Sequence, residues 1–207
     1  MMPEPTGSFS VAIRPMMPRD LHQVVEVHLE SFQGFFLTFL GPRFLELLYR
    51  NIREDSKGIL LVAESKDRIE GFVAGVEEQS GFYQRLLRKR KWSFGAAALS
   101  AVLRRPSVAP RLVRALRKPI ESKQASAKAC LMSIAVRPES KGRNVGTRLV
   151  EIFCHELANR GVSAVCLATD KDQNAVVNHF YEKLGFRLVR SYTTPEGRHM
   201  NEYYLSF

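Results

Sequence analysis

The sequence has few cysteines and no long apolar run. It contains three cysteines in 207 residues, and no apolar segment approaches the roughly 20 residues that a membrane-spanning helix needs. Cys130, Cys154 and Cys166 are odd in number and stand inside apolar segments, which argues against a disulfide framework or paired zinc ligands. The first ten residues lack the basic start and apolar core of a secretory signal. We therefore predict a cytoplasmic protein without a metal site.

Composition and length predict one folded domain. Hydrophobic residues make up 45% of the chain and charged residues 25%, as in ordinary globular proteins with a sizeable core. A chain of 207 residues fits a single domain over 1–207, with room for one insertion.

Positive charge is concentrated in one segment. The net charge is +10, and residues 77–128 contain thirteen Lys or Arg against three Glu. The rest of the chain has eighteen residues of each sign and is neutral. We therefore predict a neutral body with a basic helical insertion at 77–128, which would attract an acidic partner.

The apolar pattern alternates between strand-like and helix-like segments. It predicts a strand, two helices, two strands and the insertion, then strand, helix, strand, helix and two closing strands. Asp20 and Gln23 have the spacing of a capping box at the start of the first helix. This order predicts an α+β, or mixed α/β, fold in which a central mixed sheet is flanked by helices.

The stretch VRPESKGRNVGTRL, residues 136–149, places glycines and cations where a strand is expected to turn into a helix. The first N–H groups of a helix have no partner within it and lie at the positive end of its dipole. Small residues at Gly142 and Gly146 would let an anion approach, and Lys141 and Arg143 would add charge. The spacing predicts either a phosphate cradle or a plain strand-to-helix turn with solvated cations.

This loop resembles the acetyl-CoA signature of the GCN5-related N-acetyltransferase (GNAT) family. The family reads V-x-P and then R/Q-x-x-G-x-G/A at the start of a helix, and here VRP is followed by KGRNVG at residues 141–146. Lys141 replaces Arg or Gln and keeps a cation. Asn144 stands where the family has its first glycine. Asn tolerates a left-handed backbone, and its amide would either donate to a phosphate or crowd it.

A second motif and the N-terminal region extend the resemblance. The family sequence N-x-x-A-x-x-F-Y-x-x-x-G-F matches residues 174–186, with only the family's Ala changed, to Val177. The segment IRPMMPRDLHQVVEVHLESF resembles the family's first strand and helix. The resemblance covers the chain except for about residues 77–128, and it implies a GNAT-like sheet with the insertion between the third and fourth strands.

The resemblance implies transfer of an acetyl group from acetyl-CoA to an amine. The first of the two central strands would splay from its neighbour, and its backbone would bind pantetheine while one N–H polarises the thioester carbonyl. Tyr181 matches the general acid. Asn174 would orient pantetheine or cap its helix. The implied cofactor contacts are Ile134, Ala135, Val136, Lys141, Gly142, Arg143, Asn144, Val145, Gly146, Thr147, Asn174 and Tyr181.

The base and the acceptor site are less defined in the sequence. Glu77 and Glu78 follow the third strand, where family members often place an acid that acts through water. Glu30 and Phe32 lie near the implied amine entrance. A covalent route through a cysteine is disfavoured, because each cysteine looks buried and none has an obvious histidine partner.

Several functions stay open at this stage. The stretch FFLTFLGPRFLELLYR resembles the second helix of members that act on small amines such as amino sugars, which favours a small-molecule primary amine. The alternatives are acetylation of a protein N-terminus or lysine, and a non-catalytic acyl-CoA-binding module. Two basic amphipathic stretches within 82–118 would contact an anionic surface or membrane, cover the site, pair two subunits as a homodimer, or only carry solvated charge. No specific nucleic acid is expected.

Overall fold

The computed structural model describes residues 10–80, 82, 85 and 125–207, and most of the predicted insertion at 77–128 lies outside these ranges. The strands are β1 (Ala12–Pro15), β2 (Gly58–Ser65), β3 (Arg68–Val76), β4 (Ala129–Val136), β5 (Ala164–Asp170), β6 (Arg187–Thr193) and β7 (His199–Ser206). The helices are α1 (Leu21–Ser31), α2 (Phe36–Leu40), α3 (Pro42–Glu54), α4 (Val145–Asn159) and α5 (Ala175–Lys183). Short 3₁₀ turns cover Pro18–Asp20 and Pro138–Ser140.

The seven strands form one mixed sheet in the order β1-β2-β3-β4-β5-β7-β6. Every neighbouring pair is antiparallel except β4 and β5. Helices α1 and α3 cover one face, where Tyr49 and Phe72 are buried among aliphatic side chains. Helices α4 and α5 belong to the apolar layer on the other face, where Phe153 and Tyr203 are buried. The predicted mixed α/β fold is confirmed.

Strands β4 and β5 pair only at their beginnings. The register joins Ala129 to Val165 and Cys130 to Cys166, and neither strand pairs with the other beyond these positions. β4 nevertheless continues to Val136. Its last six residues therefore line a cleft that opens between the two halves of the sheet.

A β-bulge changes which face of the sheet the side chains of β4 lie on within this cleft. Leu131 pairs with Gly75 on β3 and Ser133 pairs with the adjacent Ala74, so Met132 is an extra residue in β4. An extra residue shifts the alternation of side chains by one position. After the bulge Ala135 packs in the α1 and α3 layer, and Ile134 packs in the α4 layer.

The predicted capping box at the start of α1 is wrong. Asp20 makes no side-chain cap to α1. Its carboxylate instead accepts hydrogen bonds from the Arg14 guanidinium (2.6 Å) and from the Met17 N–H (2.7 Å). The side-chain amide oxygen of Gln23 accepts from the Ile69 N–H at the start of β3 (2.9 Å). Gln23 thus serves a tertiary contact that a local pattern does not encode, whereas Asp20 closes the 3₁₀ turn before α1.

The two ends of the predicted insertion meet at the body of the domain. The Gln79 N–H donates to the Lys128 carbonyl oxygen (3.0 Å). Phe82 is buried in the α1 and α3 layer, and Arg85 pairs with Asp55 at the end of α3 (2.8 Å). At least one cation of the basic segment therefore anchors the insertion. No helix within the described ranges is both long and apolar enough to cross a membrane.

Candidate active site

The loop before α4 has the shape of an anion cradle. Gly142 and Asn144 both adopt left-handed backbone, with φ of 77° and 58°. The first helical bond of α4 runs from the Arg148 N–H to the Asn144 carbonyl oxygen (3.0 Å), so the N–H groups of residues 145–147 have no acceptor within the helix. These groups point out of the N-terminus of a 15-residue helix, where the dipole favours an anion.

The two glycines of the loop differ in the space around them. A Cβ atom at Gly142 would meet nothing within 4 Å, and one at Gly146 would lie 3.5 Å from the Phe180 ring. Lys141 and Arg143 are exposed beside this opening, while Val145 is buried and Thr147 is half-buried. Asn144 makes no side-chain cap to α4. The loop therefore presents backbone donors and cations to one open region.

Buried polar contacts hold the loop to β3. The Ser140 hydroxyl donates to a carboxylate oxygen of Glu70 (2.7 Å), and both residues are buried. The Arg137 N–H donates to the Glu70 carbonyl oxygen (2.8 Å). The start of α4 is thus fixed relative to the open end of the cleft.

Arg137 joins this loop to α1, a role that the motif did not reveal. Its guanidinium is buried and donates to the Ile69 carbonyl oxygen (2.9 Å) and to both carboxylate oxygens of Glu30 (2.6 Å each). Glu30 was predicted at the substrate entrance. Because Arg137 binds the Glu30 carboxylate, Glu30 helps to orient α1 across β4.

The backbone of β4 points into the cleft at two of the predicted positions. Arg137 directs its N–H to β3, and neighbouring residues of a strand direct their backbone groups to opposite edges. Val136 and Ile134 therefore direct theirs away from β3 and toward β5, where no strand pairs with them. Ala135 directs its backbone to β3, and its side chain is buried. The open N–H and C=O groups are free to bind an extended ligand.

Tyr181 lies at the closed end of the cleft. Its ring is 5% exposed and packs against Phe186 and Tyr203, with centroids 5.6 and 6.1 Å apart. Burial, with a smaller effect from the neighbouring Cys130, raises the pKa of Tyr181 above its ordinary value. The phenol therefore stays protonated at neutral pH, which is the state that a general acid requires.

Asn174 does not cap α5 with its side chain. Its amide donates to the Thr169 hydroxyl and to the Asp170 carbonyl oxygen, both at 2.9 Å. Asn174 does occupy the N-cap position of α5, and its carbonyl oxygen accepts from the Asn178 N–H (3.0 Å), while the end of β5 offers two acceptors to its side-chain amide. These contacts fix the turn between β5 and α5, on the β5 side of the cleft.

Glu77 and Glu78 follow β3 and are both held by basic side chains. Glu77 accepts from the Arg160 guanidinium at the end of α4 (3.0 Å). Glu78 accepts from the Lys57 ammonium, and this hydrogen bond lowers the pKa of Glu78. A carboxylate stabilised in its charged form, as Glu78 is, is a weaker base than a free one. Their predicted role as a base has no further support in these contacts.

Two loops meet across the open end of the cleft on the side away from α4. Phe35 belongs to the loop between α1 and α2, and its ring lies 5.1 Å from the Arg198 guanidinium of the β6–β7 turn. Arg198 also donates to both carboxylate oxygens of Asp170 at the end of β5 (2.7 and 2.8 Å). Phe32, predicted as a substrate contact, stacks against Phe35 with centroids 5.5 Å apart. A cation–π contact therefore bridges the two halves of the sheet.

The seven-stranded sheet and its cleft have the architecture of an acetyltransferase. The model of the acetyltransferase (GNAT) family matches residues 21–186, and the chain belongs to this family. Its members take acetyl-CoA as the acetyl donor, and the donors and glycines described above fit the phosphates of that molecule. Within the described ranges, no group of three or more His, Cys, Asp or Glu side chains is arranged to hold a metal ion.

Three solved structures with the same fold are distant from this chain in sequence. The ribosomal-protein-S18-alanine N-acetyltransferase of Escherichia coli is 16% identical with a TM-score of 0.58, and the match covers 95% of this chain and 94% of that one. The PaiA N-acetyltransferase of Thermoplasma acidophilum, solved with coenzyme A, is 17% identical with a TM-score of 0.54, covering 93% and 98%. The Drosophila melanogaster polyamine N-acetyltransferase, which forms N-acetylagmatine, is 15% identical with a TM-score of 0.56, covering 96% and 100%. No curated protein matches the sequence significantly.

Proposed function

We propose that the protein is an acetyl-CoA-dependent N-acetyltransferase whose acceptor is the primary amine of a small molecule, with amino sugars among the acceptors. The contact between Phe35 and Arg198 carries the small-molecule part of this proposal. It spans the open end of the cleft, so a polypeptide would have to displace it, whereas a small amine would fit beneath it.

Different residues of the cleft would have different roles in acetyl transfer. The cradle at 141–147 would hold the pyrophosphate, and the open backbone groups of Ile134 and Val136 would hold the extended pantetheine arm. Acetyl-CoA supplies the activated acetyl group when bound. A β4 N–H would then stabilise charge on the carbonyl oxygen. Tyr181 would give its phenolic proton to the leaving sulfur.

A base must take the proton that the amine loses. Glu77 and Glu78 stay the sequence-based assignments for this role, acting through water. Each would first have to release its basic partner, Arg160 or Lys57. Glu77→Gln and Glu78→Gln variants test the assignment: loss of a true base would lower activity most at pH values where the wild-type carboxylate is ionised, and the variant and wild-type rates would converge at low pH.

A thiol-release assay with acetyl-CoA and a panel of acceptors tests the function. The panel should contain aliphatic amines, amino sugars, and peptides with a free N-terminus or a lysine. We expect small primary amines to give kcat/KM values at least about tenfold above the peptides, a difference of about 1.4 kcal/mol. Preference for a peptide would contradict the small-molecule assignment. Tight CoA binding without turnover on any acceptor would favour an acyl-CoA-binding module.

We further propose that the basic segment at 82–118 gives this cytoplasmic enzyme an anionic surface or membrane contact. The support is compositional, because the excess charge of the whole chain falls in 77–128. Each cation near an anionic bilayer contributes about 1 kcal/mol, and the attraction fades beyond about 8 Å at physiological salt. Vesicle binding at low salt that is lost in the R88Q/K89Q/R90Q/K91Q variant would support the proposal. Sedimentation of a variant lacking 86–120 would show whether the segment instead pairs two subunits as a homodimer.

A further inference from the structure

Helix α5 carries a buried polar side chain on the same face as Tyr181. Asn178 and Tyr181 are the buried residues of this helix, whereas Val176 on its outer side is 85% exposed. Positions three apart in a helix lie on one face, so both side chains point toward the sheet. Asparagine is mostly an exposed residue, and burying its amide costs free energy unless the amide is hydrogen-bonded. A buried Asn178 one turn from the proposed general acid therefore needs a reason.

The side-chain amide of Asn178 forms four hydrogen bonds. Its Nδ2 atom donates to the carbonyl oxygen of Asp170 at the end of β5 (3.1 Å) and to that of Asn174 before α5 (2.9 Å). Its Oδ1 atom accepts from the Asn201 amide (3.2 Å) and the Tyr203 hydroxyl (3.0 Å), both on β7. A primary amide has two N–H donors and two acceptor lone pairs, so the whole capacity of this amide is used. Asn178 thus ties α5 to two strands at once.

These two strands belong to the half of the sheet that carries Tyr181. β4 and β5 pair only at Ala129–Val165 and Cys130–Cys166, so beyond these positions no ladder joins the two halves. In the proposed reaction β4 binds the thioester, and Tyr181 must give its proton to the sulfur from the other half. The distance between the acid and the sulfur therefore depends on where α5 lies on β5 and β7.

Hydrogen bonds define this position more closely than ring packing does. Tyr181 packs against Phe186 and Tyr203, and aromatic pairs tolerate centroid distances of about 4.5–7 Å. Hydrogen bonds tolerate only about 2.7–3.2 Å and prefer near-linear geometry. We propose that Asn178 is a positioning residue, which places the Tyr181 hydroxyl in the cleft by holding α5 on β5 and β7. The inference rests on the proposed N-acetyltransferase function and adds a residue to it.

Asn178→Ala tests the inference through a split between turnover and binding. A small displacement of a catalytic group lowers the rate steeply, so we expect kcat to fall by about three- to tenfold, and by no more than in Tyr181→Phe. The Kd for coenzyme A should stay within about twofold of wild type, because the cradle belongs to α4. A loss of coenzyme A affinity as large as the loss of kcat would indicate a general loosening of the domain and would overturn the inference.

Asn178→Asp is a second variant, which keeps the size of the side chain if the alanine variant does not fold. Its carboxylate still offers acceptors to the two β7 side chains, but in its ionised form it cannot donate to the carbonyl oxygens of Asp170 and Asn174. We expect the same split as in Asn178→Ala, with kcat lowered and coenzyme A affinity kept. Wild-type kcat in a folded Asn178→Asp would contradict the positioning role of the two donor bonds.

Two control variants remove comparable polar contacts. Asn51 is also buried, and its amide donates to the Leu47 carbonyl oxygen within α3 (2.6 Å), on the other face of the sheet. Asn51→Ala should therefore lower the thermal midpoint without changing kcat. Tyr203→Phe removes one of the four bonds to Asn178 but keeps the ring that packs on Tyr181, so its kcat should stay within about threefold of wild type.

A double-mutant cycle shows whether Asn178 acts through Tyr181. Asn178→Ala should lower kcat in the wild-type background and have no further effect on kcat in the Tyr181→Phe background, because the acid that it positions is then absent. The thermal midpoint should fall by the same amount in both backgrounds. An equal fall of kcat in both backgrounds would show that Asn178 affects the reaction independently of Tyr181, and it would overturn the inference.

Two outcomes separate the inference from the function on which it rests. An active wild type whose kcat is insensitive to Asn178→Ala overturns the inference alone. A wild type that transfers acetyl to no amine overturns the proposed function, and the inference with it.

Discussion

Cys130 and Cys166 face each other at the last position where β4 and β5 pair. Both side chains are buried. The contact with Cys166, together with burial, raises the pKa of Cys130 well above its ordinary value. A thiol held in its protonated form is a poor nucleophile, although this one lies beside Tyr181 at the closed end of the cleft.

Substitution of either cysteine should therefore preserve acetyl transfer. We expect Cys130→Ala and Cys166→Ala to keep kcat within about threefold of wild type, because no covalent bond to sulfur is formed. Cys154→Ala, on α4, is the control. Mass spectrometry of protein incubated with acetyl-CoA alone and quenched in acid should show no added acetyl group. An acetylated Cys130 or Cys166 peptide would instead establish a covalent route.

Gly146→Asp should weaken binding of coenzyme A by at least about tenfold, or 1.4 kcal/mol. The added carboxylate would stand at the helix N-terminus where the phosphates are expected, and it would repel them. Gly146→Ala is the matched control, since its Cβ would make only ordinary contacts with Phe180 and Val136 (3.5 and 3.7 Å). Calorimetry with coenzyme A measures both variants. Equal affinity of wild type and Gly146→Asp would show that the loop at 141–147 does not bind the phosphates of coenzyme A.

Tyr181→Phe should lower kcat by at least about tenfold, because general acid catalysis typically contributes about 10²–10⁴-fold. Because burial raises the pKa of Tyr181, its phenol stays protonated between pH 6 and about 9. Wild-type kcat should therefore not fall in this range through deprotonation of Tyr181. Coenzyme A affinity should hardly change. Tyr203→Phe is the control for loss of a buried hydroxyl, since it breaks bonds to Asn178 and Glu182 (3.0 and 3.2 Å). A wild-type turnover rate in Tyr181→Phe, with chemistry limiting, would leave Tyr181 a packing role.

The sequence predicted the features that depend on short-range pattern. The glycine and cation spacing led us to predict a turn from a strand into a helix before α4, and the left-handed backbone at Asn144 agrees with the residue type found there. Other features depend on tertiary contacts. The apolar segment LMSIAV does not show the extra residue at Met132 that turns Ser133 to the α1 and α3 face. Arg137 and Glu30 are 107 positions apart, and only the topology brings them together.

Phe35→Ala should widen the range of acceptors. It removes the ring that contacts Arg198 across the cleft, a contact worth about 0.5–1 kcal/mol at an exposed site. We expect kcat/KM for a peptide with a free N-terminus to rise by roughly two- to fivefold, with little change in stability because Phe35 is 38% exposed. Val189→Ala, which removes an exposed apolar side chain from β6, should leave the acceptor range unchanged. An unaltered ratio of peptide to small-amine activity in Phe35→Ala would contradict the role of this contact.

His28 should make the fold sensitive to mild acid. Burial lowers its pKa to about 4 in the folded protein, against about 6.5 in the unfolded chain. Between these values the unfolded chain binds a proton that the folded protein does not, so the stability due to neutral His28 is complete above about pH 6.5 and is lost as the pH falls toward 4. The expected loss between pH 7 and pH 5 is about 2 kcal/mol in the free energy of unfolding.

Urea unfolding at pH 7 and pH 5 measures this loss. The carboxylates Asp20 and Glu64, whose pKa values are lowered, hold their stabilising charge above about pH 4, so they contribute little in this window. His28→Gln should be less stable at pH 7 but should lose about 2 kcal/mol less than wild type on going to pH 5. His22→Gln, an exposed histidine of the same helix, should keep the wild-type loss. If His28→Gln lost as much as wild type, another group would be the source of the acid sensitivity, and an NMR titration of the His28 ring would then show a pKa near 6.5.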